Sequence, residues 1–171
     1  PYGIDINKSG WIKQKKQNNP HIDKSWDSAV PTKEYFDELF RVSKNQIIWG
    51  ANHFISRMPF DSSCWLVWDK NNGESDQTDC ELAWANFRSV VRQFTQSSEK
   101  TNRVHPTQKP VELLAWLVSA YSNQGDVVLD NCMGSGSTGV AAITSGRDFV
   151  GIERDEEYFS YAQRRLSDLV G

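Results

Sequence analysis

Apolar positions along the chain fall into short blocks separated by polar, turn-forming sequence. Beyond Pro31, the residues Tyr35, Phe36, Leu39 and Phe40 recur at helical spacing, and Thr32 stands where it can cap that helix. Residues 46–50, 64–68 and 80–84 are compact apolar runs of strand length. In the last third, Val111, Leu113, Leu114, Leu117 and Val118 mark a helix with Pro110 in its first turn. A buried-type strand over 126–130 is followed by a Gly/Ser turn and a small-residue helix over 138–144. Residues 149–152 form the next strand, and Tyr158, Phe159, Ala162, Leu166 and Leu169 trace an amphipathic helix. Strand, helix, strand, helix in this order predicts an α/β fold, a mostly parallel sheet with helices on both faces.

The polar stretches complete the layout. Residues 7–31 are rich in Lys, Asn, Gln and Ser without periodicity and predict a mobile basic loop, of a length that is usually functional or disordered. Residues 69–78 are polar and turn-rich. A second polar stretch over 93–104 is a short target-recognition or linker segment. With 171 residues, the chain is sized for a single domain, 1–171.

Composition narrows the class. Seven Trp and eight Phe concentrate burial in a few large side chains. Trp49, Trp65, Trp68 and Trp84 sit in apolar runs and read as core. No apolar run is long enough to span a bilayer and no signal pattern opens the chain, so a cytoplasmic protein without a membrane partner is expected. Cys64, Cys80 and Cys132 make no disulfide frame, and neither they nor His21 and His53 have metal-ligand spacing; no metal site is predicted.

The net charge of −3 is unevenly spread. Lys8, Lys13, Lys15 and Lys16 form a run with no acid among them. Arg88, Arg92, Lys100, Arg103 and Lys109 face a single acid, Glu99, while Asp69, Glu74, Asp76, Asp79 and Glu81 are grouped around Lys70. Such segregation allows a phosphate-binding face on an acidic chain, and solvated loops are the plainer explanation. Trp11, Lys13, Lys15, Lys16, Arg88 and Arg92 are the candidate DNA contacts, and Asn52 and His53, after a strand end, are candidates for a cleft.

Chemistry concentrates in the segment from Asp130 to Glu153. An apolar strand ending at Asp130 runs into Asn131, Cys132, Met133, Gly134, Ser135, Gly136 and Ser137, and a helix opens there. Glycines let a ligand approach the backbone, a helix N-terminus offers N–H groups, and Glu153 at the next strand end can accept from ribose hydroxyls. Gly134, Gly136 and Gly139 also satisfy G-x-G-x-x-G with an acid at about the ~20-residue spacing of nicotinamide enzymes. A dinucleotide-binding oxidoreductase and a simple tight turn both stay open on this unit alone. His105-Pro106-Thr107-Gln108-Lys109-Pro110, just ahead of the preceding helix, adds a cation at a helix start, suited to the carboxylate of an amino-acid tail.

Together with Pro1-Tyr2-Gly3-Ile4 at the start, these units resemble the DNA amino-methyltransferases of exocyclic nitrogens, in the order where the catalytic motif precedes the cofactor motifs. Pro1 and Tyr2 look like the last two residues of that family's acid-Pro-Pro-aromatic tetrapeptide. His105 to Pro110 resembles its cofactor-tail motif and Asp130 to Gly136 its glycine motif. Gly151-Ile152-Glu153 with Tyr158, Ala162 and Arg165 is similar to the segment bearing its ribose-binding acid. Residues 26–54 resemble phage and prophage members.

The resemblance implies S-adenosylmethionine as cofactor and methyl transfer to adenine N6 in DNA, with cytosine N4 as the alternative. It assigns Pro1 and Tyr2 to catalysis. His105, Thr107, Lys109, Pro110, Asp130, Asn131, Cys132, Gly134, Ser135, Gly136, Ser137 and Glu153 go to the cofactor. Double-stranded DNA with a flipped target base is the implied partner, and a homodimer and a cognate restriction enzyme are compatible with it. Two departures stand out. Asn131 and Cys132 replace the family's usual Pro and Phe, and the acid and first proline of the tetrapeptide are not among these residues. A sheet lacking the strand that carries them would leave a gap between strands 126–130 and 46–50, so a longer natural chain is expected. A non-catalytic S-adenosylmethionine-binding protein is a further alternative.

Overall fold

The computed structural model describes residues 29–73, 78–97, 104–105 and 107–171. Pro1, Tyr2, Trp11, Lys13, Lys15, Lys16 and most of the predicted basic loop lie outside the described residues. The chain forms two compact units, residues 1–95 and 96–171.

In the first unit, α1 (Lys33–Val42) begins at Thr32, whose Oγ1 accepts the Tyr35 N–H at 3.5 Å. Its apolar stripe buries Phe36 and half-buries Leu39 and Phe40. Strands β1 (Ile47–Trp49), β2 (Trp65–Asp69), β3 (Cys80–Ala85) and β4 (Arg92–Thr95) form one sheet in the order β1-β3-β2-β4. Phe36, Ile48, Ala51, Phe54 and Trp84 make its core, with the Phe36 and Phe54 rings 5.3 Å apart. Trp68 and Trp84 are buried as predicted, whereas Trp49 and Trp65 are half-buried.

This sheet departs from the parallel expectation at one strand. β3 is antiparallel to both β1 and β2, so β1 and β2 run the same way, and β4 is parallel to β2. The physical reason is reach. Asp69 lies opposite Cys80, and a connection as short as residues 70–79 closes a hairpin but cannot carry the crossover a parallel partner needs. β4 also occupies residues 93–95 of the predicted polar segment. Its sequence Arg-Gln-Phe-Thr has a single apolar side chain, too little for a strand pattern. The Asp69 carboxylate anchors it instead, Oδ2 accepting from Gln93 Nε2 at 3.0 Å and Thr95 Oγ1 at 3.3 Å.

The second unit contains α2 (Val111–Tyr121), β5 (Val127–Asp130), α3 (Ser137–Thr144), β6 (Asp148–Gly151) and α4 (Glu156–Val170). β5 and β6 are parallel, with Val128 beside Phe149 and Leu129 beside Val150, and α3 is the crossover between them, as the strand-helix-strand pattern requires. Phe149 packs against the glycines of α3 and β6, while Val127, Leu129, Val150 and Ile152, alternating with that face, are exposed. Leu113, Leu114, Leu117 and Val118 bury the inner face of α2. Arg147 ties the end of α2 to the end of α3, donating to Ser122 O at 2.8 Å and to Ser145 O. Two details correct the sequence reading. Pro110 stands just outside α2, as its N-cap. On α4, Tyr158 and Ala162 are buried and Leu166 half-buried, but Phe159 and Leu169 are exposed, because their positions fall at the edge of a narrower stripe.

Candidate functional site

The sequence candidates for the cofactor lie in the second unit, at the carboxyl ends of β5 and β6, where parallel α/β sheets place their ligands. Asp130 closes β5, residues 131–136 form the turn, and Ser137 opens α3. Gly134 and Gly136 both have positive φ, 51° and 77°, a region that residues with a Cβ rarely adopt.

The turn is tied down from within. The Cys132 N–H donates to Asp130 Oδ1 at 3.1 Å, and the Thr138 hydroxyl to Asp130 Oδ2 at 2.5 Å. Met133 N–H reaches Ile152 O at 3.0 Å and Gly136 N–H reaches Met133 O at 2.8 Å. Glu153 takes the Gly134 N–H on Oε2 and the Asp155 N–H on Oε1, each at 2.9 Å. Asp155 in turn caps α4, accepting from Glu157 N and Tyr158 N at 3.1 and 3.2 Å. The sequence suggested a row of N–H groups available to a ligand. Four of those between 132 and 136 are instead spent on holding the turn in shape.

His105 packs on the same turn. The His105 ring lies 4.4 Å, centroid to centroid, from the buried Tyr158 ring of α4. A Cβ on Gly134 would come within 3.3 Å of His105 Cδ2, so the close approach of the imidazole depends on glycine. The loop is internally braced: Thr107 N–H donates to His105 Nδ1 at 3.3 Å and Gln108 N–H to His105 O at 3.1 Å. Accepting at Nδ1 leaves the neutral imidazole with its proton on Nε2. The buried Gln108 accepts the Val104 N–H at 3.3 Å. Pro110 is fully buried and Lys109 half-buried at the entrance to α2.

His105, Gly134, Ser135, Gly136, Ser137, Asp130 and Glu153 are thus assembled in one place. Asn131 and Cys132 form the outer lip, Cys132 being exposed. Thr107 is exposed and reaches the site through His105. Arg88 and Arg92 belong to the other unit, where both are exposed, as are Asn52 and His53. Sequence reasoning did not single out Thr138 or Met133. Thr138 follows four residues of glycine-serine sequence and looks like any helix start. Met133 lies under β6, where a Cβ on Gly151 would be 2.3 Å from its sulfur; the pairing of a large side chain with a distant glycine leaves no local pattern.

Known proteins share this arrangement of sequence and structure. The model of the DNA methylase family of N6 and N4 methyltransferases matches residues 3–164. The chain belongs to this DNA methylase family. Type II methyltransferase M2.DpnII of Streptococcus pneumoniae is 46% identical over 148 residues, covering 83% of this chain and 49% of the relative. Type II methyltransferase M2.MboI of Moraxella bovis is 31% identical over 146 residues, 85% of this chain and 49% of the relative. The chain therefore spans about half the length of the curated relatives it matches. Among solved structures, the M1.HpyAVI–SAM complex superposes with a TM-score of 0.63 at 27% identity, over 78% of this chain and 81% of that one. Membership in the DNA methylase family removes the oxidoreductase reading of the glycine turn.

Proposed function

We propose that the protein transfers the methyl group of S-adenosylmethionine to the exocyclic N6 of adenine in DNA. The observation that carries this is the meeting of three groups at one strand end: the positive-φ turn at Gly134 and Gly136, Glu153 bound to that turn, and His105 seated on Gly134. The site fits the adenosyl cofactor on its own terms. It provides a positive-φ glycine turn on which the His105 ring packs at Gly134 and a carboxylate beside it, and M1.HpyAVI, of similar fold, is a SAM complex.

In this reading Glu153 accepts from the ribose hydroxyls. Lys109 meets the carboxylate of the amino-acid tail, and His105 and the turn wall the adenosyl group. S-adenosylmethionine supplies the activated methyl. Tyr2 stacks on the target base once it has left the duplex, and holding the amine in line with the methyl lowers the barrier. Arg88 and Arg92 are assigned to DNA phosphates, with Trp11, Lys13, Lys15 and Lys16. Adenine is preferred to cytosine on the resemblance of residues 26–54 to phage members.

Two measurements test the proposal. Calorimetric titration should detect S-adenosylmethionine and S-adenosylhomocysteine and no NAD. Mass spectrometry of nucleosides from DNA treated with the full-length protein should find N6-methyladenine. N4-methylcytosine in its place moves the target to cytosine, and cofactor binding with neither product makes the protein a non-catalytic binder.

A further inference from the structure

The face that α4 presents to the glycine turn is formed by Tyr158, Ala162, Arg165 and Leu166, spaced as one helical stripe. Three of them make apolar or ring contacts: Tyr158 with His105, and Ala162 and Leu166 with Gly136, where a Cβ would come within 3.0 Å of the Ala162 Cβ. Arg165 is the charged member of the stripe. Its Nη1 donates to Ser135 O at 3.1 Å and to Ser137 Oγ at 3.2 Å, and both serines are buried.

The position of those acceptors matters. Ser135 stands between Gly134 and Gly136, both of positive φ, and its O belongs to the peptide that joins it to Gly136. Glycine offers little resistance to rotation of a neighbouring peptide plane. This plane is held at both ends, its N–H on Met133 O and its carbonyl on Arg165. Rotating it would break both bonds and leave the guanidinium facing a buried serine pair.

We propose that Arg165 is a positioning residue of the cofactor site, which locks the Ser135–Gly136 peptide and thereby keeps the turn in the form that receives the adenosyl group. The proposal rests on the reading of this site as an S-adenosylmethionine site. Arg165 acts through the turn and touches no reacting atom.

The test uses the full chain carrying Arg165→Ala or Arg165→Lys, with Arg164→Ala, an exposed neighbour on α4, as the comparison. Arg165→Ala should raise the Kd for S-adenosylmethionine by about tenfold or more, the order expected for losing hydrogen bonds to a charged donor. It should raise KM with kcat little changed, and Arg165→Lys should recover part of the affinity. In the ligand-free protein, amide exchange should accelerate at residues 133–138 while α2 keeps its protection. Affinity and exchange both unchanged in Arg165→Ala would overturn the proposal, as would protection lost equally across α2 and the turn, the mark of a purely structural residue. Failure of the unaltered chain to bind S-adenosylmethionine would overturn the cofactor reading itself, separately from the exchange result.

Discussion

Glu153 and Gly134, nineteen positions apart in sequence, are joined by a hydrogen bond of 2.9 Å from the Gly134 N–H to Oε2. The other carboxylate oxygen holds the Asp155 N–H at the same distance. The side chain assigned to the ribose therefore also fixes the turn to the start of α4. Glu153→Gln keeps one good acceptor and turns an NH₂ group toward a second N–H. Leaving that donor unsatisfied costs about 1–3 kcal/mol. Denaturant unfolding should show a loss in that range, and calorimetry should show S-adenosylmethionine affinity falling about tenfold. A variant that loses stability and keeps full affinity would confine Glu153 to a structural role.

The two glycines at 151 and 125 separate packing from backbone strain. A Cβ on Gly151 would meet Met133 Sδ at 2.3 Å and Phe149 Cε1 at 2.7 Å, whereas one on Gly125, at φ 79°, would meet nothing within 4 Å. Gly151→Ala should cost about 1–3 kcal/mol through overpacking. It should also push Met133 and so disturb the turn. Gly125→Ala should cost about 1–2 kcal/mol through its left-handed conformation alone and leave cofactor affinity as it was. Thermal melts and titrations of the two variants check both halves.

How much of this was legible in the sequence follows from the range of the interactions involved. Helices α2 and α4 and strands β5 and β6 carry their own periodicity or apolar runs, and each lies where the pattern put it, within a residue or two. The glycines at 134 and 136 and the acid at 153 were readable because a tight turn and a strand end restrict residue type locally. β4 was not, since an edge strand with one apolar side chain is fixed by Asp69 from another strand. The antiparallel placement of β3 depended on a loop length, and the internal use of the turn's N–H groups on Asp130, Ile152 and Glu153. The loop length stands in the sequence but decides the pairing only once the strand ends are known, and the hydrogen-bond partners are tertiary facts that no window of sequence contains.

In the first unit, Phe36 is the one fully buried side chain of α1, set against Phe54 and the Trp84 cluster. Phe36→Ala removes a ring from a core with few alternatives for collapse, and should cost about 3–5 kcal/mol. Phe40→Ala, half-buried on the same helix with its ring 6.2 Å from Trp84, should cost less. Chemical denaturation of the pair checks the order; equal losses would mean that α1 packs through its outer edge as much as through Phe36.

Asp130 and Thr138 provide the sharpest separation between building the site and binding its ligand. Both Asp130 oxygens are engaged internally, one by the Cys132 N–H at 3.1 Å and one by the Thr138 hydroxyl at 2.5 Å. A carboxylate so occupied organises the strand-to-helix junction, while each oxygen, like those of Glu153, keeps a second lone pair that a ligand hydroxyl could use. Thr138→Val keeps the shape of the side chain and removes that donor, leaving Asp130 Oδ2 against a methyl group. Losing a hydrogen bond to a charged acceptor should cost about 1.5–3 kcal/mol. If Asp130 serves only the junction, S-adenosylmethionine affinity should stay within about twofold of the unaltered chain, well under the 1.4 kcal/mol that a tenfold change represents. An affinity that rises in Thr138→Val would show that the freed oxygen takes a ligand hydroxyl, and would return Asp130 to the list of direct cofactor contacts.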